Sequence, residues 1–229
     1  MIHRGETIHF AVVRSPRRKR SSVVIGVRGV HIAAPHGQSL ESIRAALLPQ
    51  LDAVAARVAA LAQRQGPPSR ERQFVSGESL RLLGRPYILR VLPGEPPVVE
   101  RRGTRIYVTS PDPVATREAL EDWYRLQAAE VFAQRVPLWA ARLGVTPGQI
   151  LVRSQKSRWG SCDAQGNLRL NWRLVLAPMS LIDYVIAHEL AHLRSPDHSP
   201  QFWTHLRAVM PDYPERRERL AREGARYVL

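Results

Sequence analysis

Residues 180–193, SLIDYVIAHELAHL, constrain the fold more than any other stretch of this 229-residue chain. Apolar side chains recur there with the period of a helix that is buried on one face. They are Leu181, Ile182, Val185, Ile186, Leu190 and Leu193. His188 and His192 lie one turn apart on this helix, so their imidazole rings point in the same direction. The sequence predicts a buried helix, beginning near residues 178–180, that carries two adjacent histidines.

Two histidines with this spacing can share a metal ion. Their Cβ atoms are about 5 to 6 Å apart, so both rings can approach one ion at the roughly 2.0 to 2.1 Å typical of zinc. A catalytic zinc commonly takes a third protein ligand and leaves its fourth position to water. His198 follows residues 194–197, a turn-forming stretch that can bring the chain back to the ion. We therefore expect His188, His192 and His198 to bind zinc, in the pattern HExxHxxxxxH.

Glu189 lies beside the first of these histidines. It is displaced by about 100° around the helix, which places its carboxylate next to the open position of the metal. There it can accept a proton from an attacking water molecule.

The spacing of His188, His192 and His198 is also that of the metzincin pattern, but Ser195 replaces the glycine of that pattern. Without an ion, two facing imidazoles and a carboxylate on a buried stripe would lack partners.

The surrounding sequence resembles a known family. The run KSRWGSCDAQGNLRLNWRLVLAPMSLIDYVIAHELAHLRSPDHSPQFW, residues 156–203, resembles the YgjP-like zinc metallopeptidases, which are related to the SprT group and to gluzincin-like proteases. The similarity continues into MPDYPERRERL and extends upstream to LLGRPYILRV. It implies a zinc-dependent peptidase in which a hairpin carrying RWGSC packs beside the active-site helix. Trp159, Gly160 and Ser161 would then offer an edge to an extended peptide substrate.

The resemblance also assigns roles to the histidines and the glutamate. It implies zinc on His188, His192 and His198 and the catalytic base at Glu189, which agrees with the spacing. SprT relatives are linked with protein substrates on DNA. The physiological substrate is left open.

Other residues are weaker candidates, each with a structural alternative. Tyr213 or His205 could stabilise the oxyanion, although a tyrosine after a helix is more often a packing residue. Asp183 or Asp197 could orient an imidazole, or could cap a helix or turn instead. Cys162 could be a reactive or metal-seeking thiol, or a small residue where a hairpin turn starts.

The charge of the chain indicates acidic partners. The 34 lysines and arginines exceed the 20 aspartates and glutamates, giving a net charge of +14 and a pI near 11.2. Such a chain is expected near polyanions. The basic run over residues 14–20 is a candidate phosphate clamp or a solvated loop. A rival to the peptidase is therefore a nucleic-acid-associated protein with a structural zinc, and a protease recruited to DNA-bound proteins would combine the two.

Two features bear on the compartment. Cys162 is the single cysteine, so an intrachain disulfide is impossible and nothing indicates an oxidising compartment. The N-terminal residues MIHRGETIHF include no apolar signal-like core, and the most apolar segment is interrupted by Pro178 and Asp183. We expect a cytoplasmic protein that does not enter membranes.

The predicted fold class is α+β. Residues 1–111 are expected to form a β-rich N-terminal domain with one long helix, which starts after Ser39 and runs to Leu61, and two hairpins over residues 74–108. Residues 112–229 are expected to form the helical, zincin-like catalytic domain with a small antiparallel sheet. Residues 150–154 and 168–172 are predicted to be strands of a hairpin in that sheet.

Overall fold

The computed structural model describes residues 2–3, 6–7, 11–15, 21–26, 29–47, 49, 51–54, 56, 72–155 and 158–229. These residues form an α+β structure, as the sequence predicts. The chain divides into two compact units, Met1–Pro68 and Ser69–Leu229.

The first unit contains two small sheets and a helix. Strands β1 (Ile2–His3) and β2 (Glu6–Thr7) are antiparallel, and β5 (Gly29–Pro35) lies between a parallel β3 (Ala11–Ser15) and an antiparallel β4 (Ser22–Gly26). Helix α1 (Leu40–Leu47) follows and begins directly after Ser39, as the sequence predicts; the hydroxyl of Ser39 accepts the backbone N–H of Ser42 there. A small core forms around Ile32, Ala34 and Ile43. Residues 51–54 and 56 of the predicted helix are also helical, whereas its residues 48, 50, 55 and 57–61 and residues 16–20 of the basic run lie outside the described residues.

The second unit begins with a four-stranded sheet. Its strands are β6 (Ser79–Leu82), β7 (Arg85–Leu92), β8 (Val98–Arg102) and β9 (Arg105–Thr109), in the order β6-β7-β9-β8. The pairs β6/β7 and β8/β9 are antiparallel, which gives the two predicted hairpins, and β7 and β9 are parallel. Leu80, Leu89, Ile106 and Val108 are fully buried on one face of the sheet. That face therefore belongs to the core.

Helix α2 (Pro113–Leu143) packs into the same core. Its start is fixed by Asp112, whose carboxylate accepts the N–H of Ala115 at 2.9 Å, and its end by Gly144 at φ 63°. Side chains spaced four residues apart form a fully buried stripe on this helix: Leu120, Tyr124, Ala128, Phe132 and Val136. Because this stripe and the sheet share one core, the boundary predicted at 111/112 falls inside the second unit, and the observed division lies at 68/69. No helix in the described part of the chain combines the length and apolarity needed to cross a membrane.

The remaining elements form the motif stretch 156–203 and its flanks. Strands β10 (Ile150–Arg153), β11 (Gly160–Cys162) and β12 (Leu168–Asn171) precede a 3-10 helix (Trp172–Leu176) and helices α3 (Met179–Ala191), α4 (Pro200–Val209) and α5 (Tyr213–Glu223). The predicted hairpin of 150–154 with 168–172 is wrong in its pairing. Strand β10 is parallel to β12, and the antiparallel partner of β12 is β11, across the turn at 163–167. The order β10-β12-β11 leaves β11 as an edge strand.

The core of the second unit can be tested at Phe132. Its side chain is fully buried, so Phe132→Ala is expected to lower the free energy of unfolding by about 3 to 5 kcal/mol. All five tryptophans lie beyond residue 68, so urea denaturation followed by tryptophan fluorescence reports on this unit. Leu126→Ala is the control on the same helix, because Leu126 is 64% exposed and should change stability by less than about 0.5 kcal/mol. Equal effects of the two changes would contradict the assigned core.

Candidate metal centre

Three imidazole rings converge at the end of α3. His188 lies on this helix, His192 follows its last residue, and His198 lies just before α4. Their ligand atoms all lie within 4.8 Å of one another, and the Nε2 atoms of His188 and His198 are 2.9 Å apart. We call these three residues the histidine cluster. The sequence prediction that they come together agrees with this geometry.

Aromatic side chains of α4 support the cluster. The ring of Phe202 is fully buried, and its centroid lies 4.8 to 5.0 Å from the centroid of each of the three imidazoles. Trp203 stacks on His198 at a centroid distance of 5.6 Å and donates its Nε1–H to the His198 carbonyl at 3.1 Å. Phe202 therefore forms the floor of the cluster, and Trp203 fixes the third histidine.

The turn between α3 and α4 sets the position of His198. The hydroxyl of Ser195 is 3.2 Å from Asp197 Oδ1 and 3.1 Å from the hydroxyl of Ser199, and Asp197 also accepts the Ser199 N–H. Ser195 is only 6% exposed. The serine that replaces the glycine of the metzincin pattern thus has a defined role, since it binds the turn together.

The protonation of the cluster suits metal binding. Burial, with the two neighbouring imidazoles and Arg217 adding to it, lowers the pKa of His188 to about 3. Burial also lowers the pKa of His192, again with a contribution from the ring of His198. The Nδ1 atoms of His188 and His192 are buried, so these rings can offer their Nε2 atoms to a ligand. Neutral imidazole is the form that binds metal ions.

Glu189 is buried between α3 and β11. It is 8% exposed, and a Cβ atom at Gly160 would lie 2.7 Å from its Cγ and 2.8 Å from its Oε1. Burial raises the pKa of Glu189 to about 7, although the charge of Arg158 and the backbone N–H of Cys162 act in the opposite direction. Only a glycine at position 160 leaves room for this carboxylate where it lies.

Strand β11 presents a free edge beside Glu189. Asn171 donates its N–H to the Trp159 carbonyl and Asp163 donates its N–H to the Asn167 carbonyl, so the odd-numbered residues of this segment bond to β12. In an antiparallel ladder the intervening residues then turn their N–H and C=O groups away from the partner strand. Gly160 and Cys162 therefore face the open edge. Ser161 pairs with β12, opposite Arg169.

The other candidate residues differ in how close they lie to the histidine cluster. Tyr213 is 7% exposed, and its ring stacks on Trp203 at 5.2 Å, close to the cluster. Trp159 lies against the C-terminal segment, with its ring 6.3 Å from that of Tyr227. His205 has no ring contact with the cluster among the residues that the structure describes.

The two aspartates and the cysteine have structural roles. Asp183 accepts two hydrogen bonds of 2.7 Å from Arg135 and so links α3 to α2 instead of orienting an imidazole. Asp197 caps the turn before α4. Burial raises the pKa of the Cys162 thiol to about 11, which keeps it protonated, and among the described residues it is not part of the metal-ligating group.

Sequence reasoning missed the aromatic support and two cations. Phe202 and Trp203 were part of the quoted motif stretch, but nothing in their spacing indicated that they contact the histidines. Arg158 and Arg217 act on the pKa values of Glu189 and His188 from outside the motif helix. Such contacts depend on how α3, α4, α5 and β11 pack together. The Phe-Trp pair that begins four residues after the third histidine was the available signal.

Comparisons with known proteins identify the family of the chain. Among solved structures, the chain is similar to the crystal structure of the metallopeptidase zymogen of Pyrococcus abyssi abylysin, at 22% identity over 38% of this chain and 90% of that chain, with a TM-score of 0.36. A search of curated proteins finds none that matches. A family model described as YgjP-like, metallopeptidase domain, matches residues 19–223. Since this match spans most of its length, the chain belongs to the YgjP-like family of metallopeptidase domains.

Proposed function

We propose that this protein is a zinc-dependent peptidase that hydrolyses peptide bonds, with the histidine cluster as zinc ligands and Glu189 as general base. The observation that carries the proposal is the convergence of three imidazoles at the end of α3, the helix that also carries the buried carboxylate of Glu189. Family membership supports metallopeptidase chemistry. All the residues proposed lie between 112 and 229, the region that the sequence predicts to be catalytic.

The donor set of the cluster fits zinc. Nitrogen ligands lie about 2.0 to 2.1 Å from zinc, so two of them on one ion are separated by at most about 4 Å. The Nε2 atoms of His188 and His198, at 2.9 Å, are within this span, and small ring rotations would bring all three ligand atoms, now within 4.8 Å of one another, into it. Three neutral imidazoles with one open position are a common ligand set of catalytic zinc. A zinc ion held there would supply a Lewis acid that polarises a carbonyl and lowers the pKa of water toward about 7.

Glu189 would perform the proton transfers. Its pKa of about 7 lies near neutral pH, where a general base is most effective. One carboxylate oxygen would accept a proton from the attacking water and then deliver it to the nitrogen of the leaving amine. Tyr213, stacked beside the cluster on Trp203, is the proposed oxyanion stabiliser, because a phenolic O–H can donate to a developing negative charge.

The open edge of β11 is the proposed substrate site. The N–H and C=O groups of Gly160 could pair with an extended peptide, as an added strand does at a sheet edge. Such a peptide would run past Glu189, which Gly160 contacts. Trp159 and Ser161 would hold the edge in place through the C-terminal segment and β12.

Gly160→Ala tests this arrangement. The new methyl group would overlap the Glu189 side chain, which would have to move. We expect peptide hydrolysis to fall by about 100-fold, because catalytic groups misplaced by about 1 Å lose rates of this size. Zinc content should be unchanged. Gly37→Ala is the control, since no atom lies within 4 Å of its added Cβ. Full activity of Gly160→Ala would contradict the proposed position of the base.

The decisive experiment combines metal analysis with a search for cleavage. Protein purified without chelators is analysed for zinc by mass spectrometry and incubated with a proteome-derived peptide library. The proposal requires bound zinc and cleavage that stops when zinc is removed. Bound zinc with no cleavage of any peptide, together with DNA affinity that falls steeply with salt, would favour the rival function of a nucleic-acid-associated protein.

A further inference from the structure

A pocket adjoins the third histidine. It is lined by His198, Pro200, Trp203, Thr204, Arg207 and Tyr213, and we call it the aromatic pocket. The rings of Trp203 and Tyr213 are nearly parallel, at a centroid distance of 5.2 Å and an angle of 16°. Trp203 also stacks on His198. A group in this pocket would therefore lie next to the histidine cluster and to the scissile bond of a bound peptide.

Two guanidinium groups lie over the aromatic rings. The Cζ atom of Arg217 is 4.9 Å from the centroid of Trp203, and the Cζ atom of Arg207 is 5.9 Å from that of Tyr213. Both arginines are exposed. Neither forms an ion pair within the described residues, whereas Arg216 binds Asp212 and Arg219 binds Glu223 on the same helix. Stacking on a ring leaves the N–H groups at the edge of a guanidinium free to bind an anion.

Two arginines place positive charge next to the third histidine. Arg207 lines the aromatic pocket, and Arg217 lies over Trp203, whose ring stacks on His198. A negatively charged peptide segment would be attracted there.

We propose that the aromatic pocket binds a carboxylate of the peptide substrate next to the scissile bond, with Arg207 and Arg217 as its specificity-determining residues. This proposal rests on the peptidase function proposed above. The carboxylate can come from a glutamate or aspartate side chain or from the C-terminus of the peptide. The methylene groups of a glutamate would contact the aromatic floor, and its carboxylate would receive N–H donors from the arginines. A lysine in the same position would be repelled.

The test compares matched peptides. A peptide cleaved in the library is resynthesised with Glu, Gln or Lys at the residues flanking its cleavage site, each with a C-terminal acid or amide. We expect kcat/KM for the best Glu peptide to exceed that of its Gln counterpart by about fivefold or more, the range of an accessible charge-assisted hydrogen bond. If only the C-terminal acid raises kcat/KM, the chain terminus is the source of the carboxylate. Equal values for Glu, Gln, acid and amide peptides would overturn the proposal.

Substitutions then assign the effect to the two arginines. In Arg207→Gln/Arg217→Gln the ratio of acidic to neutral peptide should fall to about one. Arg142→Gln is the matched control, because Arg142 is an exposed arginine whose Cζ lies 4.6 Å from the ring of Trp139, away from the pocket. It should retain the wild-type ratio. Persistence of the full preference in the double variant, with unchanged thermal unfolding, would overturn the assignment.

A binding assay tests the aromatic pocket independently of the proposed peptidase activity. Fluorescein-labelled alanine-rich peptides that differ only by one Glu or Gln, chosen without reference to cleavage, are titrated by fluorescence anisotropy into the zinc-loaded Glu189→Gln protein. This measurement does not depend on turnover. Tighter binding of the Glu peptide that disappears in the arginine double variant supports the pocket even if the wild type cleaves nothing. Equal binding of both peptides overturns the pocket even if the wild type is an active peptidase.

Discussion

Glu189→Gln is expected to lower kcat for peptide hydrolysis by about 10²- to 10⁴-fold, the usual contribution of a general base. The substitution keeps the shape of the side chain but removes the group that accepts the proton. Zinc content should not change, because the proposed ligands are the three histidines. The measurement is the initial rate on a peptide identified in the library, with the zinc content of the same sample determined by mass spectrometry.

The control for this change is Glu130→Gln, at an exposed position on α2. It removes the same charge from a helix that carries none of the three histidines, so the variant should keep wild-type activity and zinc content. A mock preparation from cells that lack the protein, purified in parallel, measures the activity of any contaminating peptidase. Turnover by Glu189→Gln at the wild-type rate, with that contamination excluded, would rule out Glu189 as the base.

His192→Ala is expected to abolish both zinc binding and hydrolysis. Removing one of three ligands leaves an incomplete site, in which the Nε2 atom of the buried His188 lies 2.9 Å from that of His198 alone among the residues that the structure describes. Zinc content should fall from about one per chain to near zero, as expected for a site of three protein ligands. The loss is measured by mass spectrometry after dialysis against a weak chelator.

His205→Ala is the matched control for zinc content. His205 lies on α4, one turn beyond the aromatic residues that support the cluster, and it is not part of the metal-ligating group. It should bind zinc as the wild type does. If His192→Ala retained its zinc while His205→Ala lost it, the ligand set would be wrong. Circular dichroism of both variants distinguishes loss of a ligand from loss of the fold.

Much of the local structure could be predicted from the sequence because it depends on neighbouring residues. The apolar stripe in 180–193 indicated α3, which begins at Met179 as expected near 178–180. Ser39 indicated the start of α1. The hairpins over 74–108 were indicated by glycine-containing turns, and Gly84 and Gly103 have φ values of 78° and 58°. Side-chain period and turn chemistry act within a few residues, so they can be read without the fold.

Strand pairing and the division into units could not be predicted in this way. Strand β10 pairs with β12 in parallel and β11 pairs with β12 antiparallel. The sequence of a short apolar segment does not indicate which strand it pairs with. The predicted boundary at 112 rested on a change from strand-like to helix-like sequence. Such a change does not reveal that the sheet and α2 bury their apolar faces against each other. Both outcomes depend on contacts between distant residues.

The sequence by itself determined that two candidate ligands lie side by side. His188 and His192 are one turn apart and must point the same way whenever the helix forms, because spacing along a helix fixes direction. The third, His198, follows a turn, and its position depends on Ser195 and Trp203. Only the tertiary structure decided what surrounds them: Phe202 beneath the rings, Gly160 against Glu189, and Arg217 over Trp203. These contacts join separate elements, and burial by those elements sets the pKa values of His188 and Glu189. A helical pattern can place functional groups, but their environment comes from the packing of the whole unit.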